Sequence, residues 1–598
     1  MALTTRIPPE LVIRVFDFVD PPTIVDLACS CKFLERCSRD ILRKHRDLRA
    51  RYRLVTDVDP RSFTGVLRRT LADRQIAWHV RDLEFTCARA HWSHWQTSDI
   101  NKEVVDDSGM ADLSLPPDYA FTLNEQIDLL NLFREVFHFD EETIDVARAD
   151  LQQGNDAPLK LLLFGACPRL RCVKFTRSFR VAERCTIERK PSDDPHDKPR
   201  SSLEYFHQAI LLHLQNNTSP WPVGLASLQD LAIGVDAGNE THDLTFAPSA
   251  LLFANCMHLP HLTSLYCFGL RVPWEDPNEH PEDHTGMRYE IEKGSSSVHN
   301  IFLDCALGLH EAMGGIIEGC AQLKSLTIAS SDLNDIDAVV STADYRHRQS
   351  METLMFYTTD MLRGYRCNMF RPESMEHLTR LRTVYVDASD VMLDAMSECD
   401  DFECGEEHEW VTDHEGFVKY YMNSAFPSSI EVLVIGAQWR SELSEGDANL
   451  FDQAITTMIE YGRVAEGEER DSSAKPAKVF ERSFPNLKAV YLSSLDEVDH
   501  APVRRKRWFA NAIAAGRKFG VDVHTRTTRS RPFHQVDFPK PPRLTLDESA
   551  EKLLVFDVYT GEWAPPKCGN CGTCWPCLEQ YDASVWREVE EEHQEGRP

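Results

Sequence analysis

The chain has 598 residues, 42% of them hydrophobic and 27% charged, so it is long enough to bury a core without disulfides or metals and close to globular averages. Lys and Arg total 65 against 95 Asp and Glu, a formal charge of -30; a surface of that sign repels phosphate backbones and anionic lipid, which excludes nucleic acid and membrane as expected main partners. No run approaches the roughly 18 apolar residues of a span and no signal-like start is visible, while the 18 cysteines are scattered as reduced thiols, so a cytoplasmic or nuclear location is expected.

From Pro8 onward Leu11, Val12, Val15, Phe16 and Val19 recur at helical spacing, and Pro8 and Pro9 suit a first turn whose N–H groups have no partner anyway. The Asp20, Pro21, Pro22 run is expected to stop this helix, with Thr23 and Asp26 capping a second whose stripe is Ile24, Leu27, Ala28 and Cys31. A third pattern carries Phe33, Leu34, Cys37, Ile41 and Leu42. Three short amphipathic helices make a marginal core, and such a module completes itself against a partner.

The spacing of Ile7, Pro8, Glu10 and Leu11, then Phe16, Val19, Asp26 and Leu27, then Cys31, Lys32 and Phe33 closely resembles the F-box motif, over about residues 6 to 47. The resemblance implies a module that binds the Skp-type adaptor of a cullin-RING (SCF) ubiquitin ligase, with Ile7, Pro8, Leu11, Leu27 and Cys31 at the adaptor interface. Ile7 stands where Leu is commoner, and Phe33 where the family often has its aromatic one place later.

Beyond residue 75 one pattern returns, apolar-x-x-apolar-x-apolar. Its copies are Val80/Leu83/Phe85, Leu170/Val173/Phe175, Leu228/Leu231/Ile233, Leu262/Leu265/Cys267, Leu323/Leu326/Ile328, Met351/Leu354/Phe356, Leu381/Val384/Val386, Ile430/Leu433/Ile435 and Leu487/Val490/Leu492. Proline often stands just ahead, as at Pro168, Pro260 and Pro485, and helical patterns intervene near Ile210 to Leu214, Ala312 to Ile317 and Trp508 to Phe519. Intervals run from 28 residues (Leu323 to Met351) to 90 (Val80 to Leu170), which resembles leucine-rich-repeat punctuation with insertions or unrecognised copies; an ordinary α/β domain is the other reading. Residues 189–202, 274–297, 398–416 and 465–478 are polar or charged and read as surface insertions.

The expected fold class is α/β: an N-terminal three-helix F-box (1–50), a helical linker (51–75), an irregular leucine-rich-repeat-like solenoid (76–526), and a C-terminal extension (527–598) with a small cysteine-rich tail. Strand alternation places Tyr266, Phe268, Tyr357, Tyr385 and Tyr491 on the face opposite the core. They are either anchors for a protein target or aromatics that favour a pleated surface.

In the tail Cys568, Cys571, Cys574 and Cys577 put a thiol at every third residue. Such a set could hold structural zinc, or lend three ligands to an iron–sulfur cluster, although two residues between the inner cysteines is tight; unmetallated redox-sensitive thiols are the other reading. The acidic groups around Cys399, Cys404, His408 and His414 and around His280 and His284 read as solvated charge, and Arg504 to Arg507 as a basic helix face rather than an import signal. No phosphate-binding loop, dinucleotide fingerprint, zinc-protease or nucleophile-elbow signature occurs. The expectation is a non-enzymatic substrate receptor that needs no cofactor, with adaptor, cullin and a protein target as partners; a scaffold without a ubiquitination role is the alternative.

Overall fold

The computed structural model describes residues 7–16, 18–19, 21–85, 89, 91–96, 120–177, 200–215, 220–236, 250–270, 291–304, 310–329, 336–357, 375, 377–387, 426–436, 445–462, 484–493, 509–524, 555–557 and 562–564. The Cys568 to Cys577 cluster, the Arg504 to Arg507 run, both His/Cys acidic groups and the insertions 398–416 and 465–478 lie outside these residues. Contacts divide the chain into two compact units, the first holding Met1–Leu231 with Asp236–Asn239 and Phe556–Trp563, the second holding the remainder.

The first unit opens with helices α1 (Pro9–Phe16), α2 (Pro21–Ser30) and α3 (Lys32–Tyr52). Pro21 and Pro22 form the first turn of α2 rather than a break before it, so the helix begins two residues ahead of the expected Thr23 cap; proline costs little where no N–H partner exists. Strand β1 (Leu54–Thr56) follows α3 at once, inside the segment expected to be a helical linker. Its copy of the pattern is Tyr52/Val55/Asp57, all buried, and the aspartate in the third place hides it from a search for apolar residues.

Strands β2 (Asp82–Phe85) and β3 (Cys172–Arg177) pair in parallel, Val55 beside Leu83 and Leu83 beside Val173. Helices lie before, between and after these strands in the chain. Helix α4 (Pro60–Ala72) is capped by Asp59, α5 (Leu123–Phe137) starts on a Thr122/Glu125 capping box, and α6 (Glu141–Gln153) is capped by Asp140. Helix α7 (Ala157–Ala166) is buried from Ala157 to Gly165, so its apolar residues show no stripe. Helices α8 (Ser202–Gln215) and α9 (Val223–Ser227) complete this region. A Cβ on Gly224 would sit 1.4 Å from the Phe164 carbonyl oxygen, so only glycine lets α9 approach α7 this closely.

A closed ionic group is buried beneath these helices. Lys160 Nζ lies 2.7 Å from Asp57 and 3.0 Å from Asp156, and Arg89 meets Asp156 at 3.3 Å. Burial alone would lower the Lys160 pKa, but the Asp156 and Asp57 carboxylates outweigh it and hold the ammonium above its ordinary value. Two cations face two anions, which is how charge is tolerated in a core.

Strand β4 (Asp230–Asp236) is divided between the units. In the second unit β5 (Ser264–Phe268), β6 (Asn300–Asp304), β7 (Ser325–Ala329), β8 (Thr353–Tyr357), β9 (Thr383–Asp387), β10 (Val432–Gly436), β11 (Ala489–Ser493) and β12 (Asp522–His524) pair in parallel with their sequence neighbours. Within each unit sheet order follows chain order, from β1 to β3 in the first and from β5 to β12 in the second, and β13 (Val555–Asp557) with β14 (Glu562–Ala564) forms a separate two-stranded sheet.

Every copy of the apolar pattern falls on one of the strands β1 to β12. The second apolar residue of each copy stands in register, Leu265, Ile301, Leu326, Leu354, Val384, Leu433 and Val490 in succession. Among these Ile301 belongs to a further copy, Val298/Ile301/Leu303, buried at β6. It follows the stretch read as a surface insertion, yet Ile291 and Ser296 at the end of that stretch are buried; Ile291 fills the space over Gly319 and Ser296 bridges to Cys320. The polar composition of 274–290 masked this packed end.

A second periodicity accompanies the first. In alternate copies the residue before the first apolar position is serine, and its hydroxyl donates to the carbonyl of the first apolar residue of the preceding copy. These pairs are Ser227 to Leu170 (2.9 Å), Ser297 to Leu262 (2.9 Å), Ser350 to Leu323 (2.8 Å) and Ser429 to Leu381 (2.8 Å). Such bonds satisfy carbonyls where the chain turns into β3, β5, β7 and β9.

Candidate functional site: an apolar ridge on the N-terminal helices

The pattern on α1 has two faces, not the single stripe expected. Val12 and Phe16 turn inward and form a core with Ile24, against which Val19, Leu27, Phe33, Leu34, Cys37, Ile41 and Leu42 pack. Leu11 is 53% exposed, Val15 53% and, just beyond the helix, Phe18 90%. Offsets of four and seven place these three along one side of the helix. Ile7, Ile13 and Val25 are also exposed, so the module keeps an uncovered apolar surface beyond its own core. Clusters of this kind mark interaction sites, whereas single exposed apolar residues need no explanation.

The five residues expected at the adaptor interface are therefore distributed across this module. Ile7, Pro8 and Leu11 are exposed, Leu27 is half-buried against the core, and Cys31 is half-buried just before α3. Val15 belongs to the apolar stripe read from the sequence but not to the expected interface, and Phe18 and Val25 belong to neither, although the spacing from Leu11 to Val15 to Phe18 is readable there.

The strand aromatics are placed otherwise than expected. Tyr266, Phe268 and Tyr385 are buried, Tyr491 is half-buried, and the Tyr357 side chain lies outside the described residues. Alternation itself holds, since Tyr266 stands in register with Phe302, Thr327, Met355, Tyr385, Val434 and Tyr491 on the face opposite Leu265. Thr327, Met355 and Val434 are buried too, so these parallel strands are buried on both faces. The Tyr266 ring meets Phe302 edge-on at 5.0 Å and its hydroxyl donates to Asp304 at 3.0 Å.

Several thiols are buried in the body of the fold. Burial raises the thiols of Cys167, Cys172 and Cys320 to about 12, which keeps them protonated and unreactive. Among the described residues no cluster of three or more His, Cys, Asp or Glu could hold a metal ion, and no helix is long and apolar enough to cross a membrane. No family model and no curated protein matches the chain.

Proposed function

We propose that the chain is a substrate-recognition subunit of an SCF-type ubiquitin ligase, whose N-terminal helices bind a Skp-type adaptor and whose α/β body holds a target protein. One observation carries this reading: Leu11, Val15 and Phe18 remain exposed beside a small core already filled by Val12, Phe16 and Ile24. A module that has satisfied its core and still presents an apolar ridge has surface to bury in another subunit. The F-box-like spacing of Ile7, Pro8, Leu11, Leu27 and Cys31 agrees with it. In this reading catalysis belongs to the ligase's other subunits, and the receptor acts by raising the target's local concentration. Of the five aromatics considered for target contact, Tyr491 keeps measurable side-chain surface.

Affinity purification of the full chain tests the proposal. Adaptor and cullin should co-purify with the wild type and be lost with Leu11→Ala/Phe18→Ala. Adaptor without cullin would indicate a scaffold outside ubiquitination, and recovery of neither would sink both. The tail has its own test: stoichiometric zinc that disappears when Cys568, Cys571, Cys574 and Cys577 are changed to Ser would assign them as ligands.

A further inference from the structure

In the first unit the residues just before β1, β2 and β3 are Arg53, Arg81 and Arg171, aligned by the parallel register. The carbonyl of Arg53 accepts from the N–H groups of Arg81 and Asp82, and that of Arg81 from those of Arg171 and Cys172. Three arginines therefore follow one another at the strand spacing of about 4.8 Å. The outer two are drawn to carboxylates, Arg53 to Asp82 and Arg171 to Asp230, each at 3.4 Å. Arg81, in the middle, instead donates from Nη1 to the carbonyl of Arg169 at 2.9 Å.

The surroundings of Arg81 add charge of the same sign. Arg169 lies over the Trp78 ring at 5.4 Å, and Arg49, in the last turn of α3, is among the charges acting on Arg81. Among the described residues no carboxylate lies within ion-pair distance of Arg49, Arg81 or Arg169. The indole N–H of Trp78 is buried without an acceptor among them. Partial burial, then the charges of Arg169 and Arg49, bring the Arg81 pKa down to about 10, with Asp82 opposing. Guanidinium groups repel one another at close range, and a bound anion would relieve that repulsion.

We propose that Arg49, Arg81 and Arg169, with the Trp78 indole N–H beside them, form a binding site for the phosphate group of a small soluble ligand. Guanidinium forks match the oxygens of a phosphate dianion, each donating two N–H groups. A compact anion suits a few arginines around one partly buried guanidinium, whereas an extended polyanion would meet the repulsion of the remaining surface. The site is independent of the adaptor reading, since it uses none of the ridge residues.

The experiment is titration of the full chain with inorganic phosphate, followed by calorimetry and by thermal unfolding against chloride at equal ionic strength. The wild type should show saturable binding and a phosphate-specific rise in Tm. Arg81→Gln, Arg49→Gln and Arg169→Gln should each weaken binding about tenfold, the loss of one charge-assisted contact. Arg49 and Arg169 are exposed, so their variants keep the test valid if Arg81→Gln fails to fold. Absence of saturable binding, or an equal response in wild type and all three variants, overturns the site. A phosphoserine peptide or anionic vesicles binding through these arginines while inorganic phosphate does not would overturn the small-ligand assignment.

Discussion

The Nδ1 atom of His45 on α3 lies 2.9 Å from Nε2 of His79, just before β2, and both rings are buried. One ring must donate and the other accept, so the pair is built for two neutral imidazoles. Burial, then the charges of His45, Arg81, Arg49 and Arg169, bring the His79 pKa to about 4, and burial lowers that of His45. The unfolded chain takes up protons near pH 6.5 while the folded pair resists them, so the contribution is full above that pH and is lost on acidification towards pH 4. We expect chemical denaturation to show lower stability at pH 5 than at pH 7.5, by on the order of 1 to 3 kcal/mol from this pair. His45→Leu/His79→Leu should flatten that dependence, and an unchanged pH difference in the double variant would remove the pair as its source.

The two faces of α1 should separate stability from binding. Phe16 is 1% exposed, and Phe16→Ala should cost about 3 to 5 kcal/mol through the cavity it leaves. Phe18→Ser removes a ring that is 90% exposed and should change stability by less than about 0.5 kcal/mol. Adaptor capture should fall with Phe18→Ser at unchanged Tm; a variant that unfolds, or that captures adaptor as well as wild type, contradicts the ridge.

Lys160 offers a test of the buried ionic group. Lys160→Met leaves Asp57 and Asp156 facing each other without their shared cation, and unfolding should become easier by about 3 to 5 kcal/mol. Adding Asp57→Asn should recover part of the loss because it removes one stranded charge. If the single variant is as stable as wild type in denaturant, the group does not hold β1 to α7 as described.

The serine ladder predicts small, repeated effects. Ser350→Ala removes the donor to the Leu323 carbonyl and should cost about 1 kcal/mol. Ser429→Ala should cost the same at Leu381. The two losses should add, since the sites share no partner; no measurable shift of either denaturation midpoint would show that water replaces the hydroxyls without cost.

By itself the sequence determined the alternation of helix and parallel strand. Apolar-x-x-apolar-x-apolar records which side chains of a buried strand face the core, so Leu326, Leu354 and Leu433 could be placed from spacing alone. It also placed the three opening helices, because their apolar spacings are local properties, although it put the start of α2 too late. What it left undecided was set by contacts between distant residues. Asp57 concealed β1 because its burial depends on Lys160, far along the chain. The burial of Tyr266 and Tyr385 required a sheet buried on both faces, which period-two alternation does not specify. On α1 only the packing of α2 and α3 chose Val12 and Phe16 for the core and left Leu11, Val15 and Phe18 outside. Strand register likewise aligns Arg53, Arg81 and Arg171, and the Arg81 hydrogen bond to the Arg169 carbonyl brings a fourth arginine beside them, which no run of adjacent residues encodes.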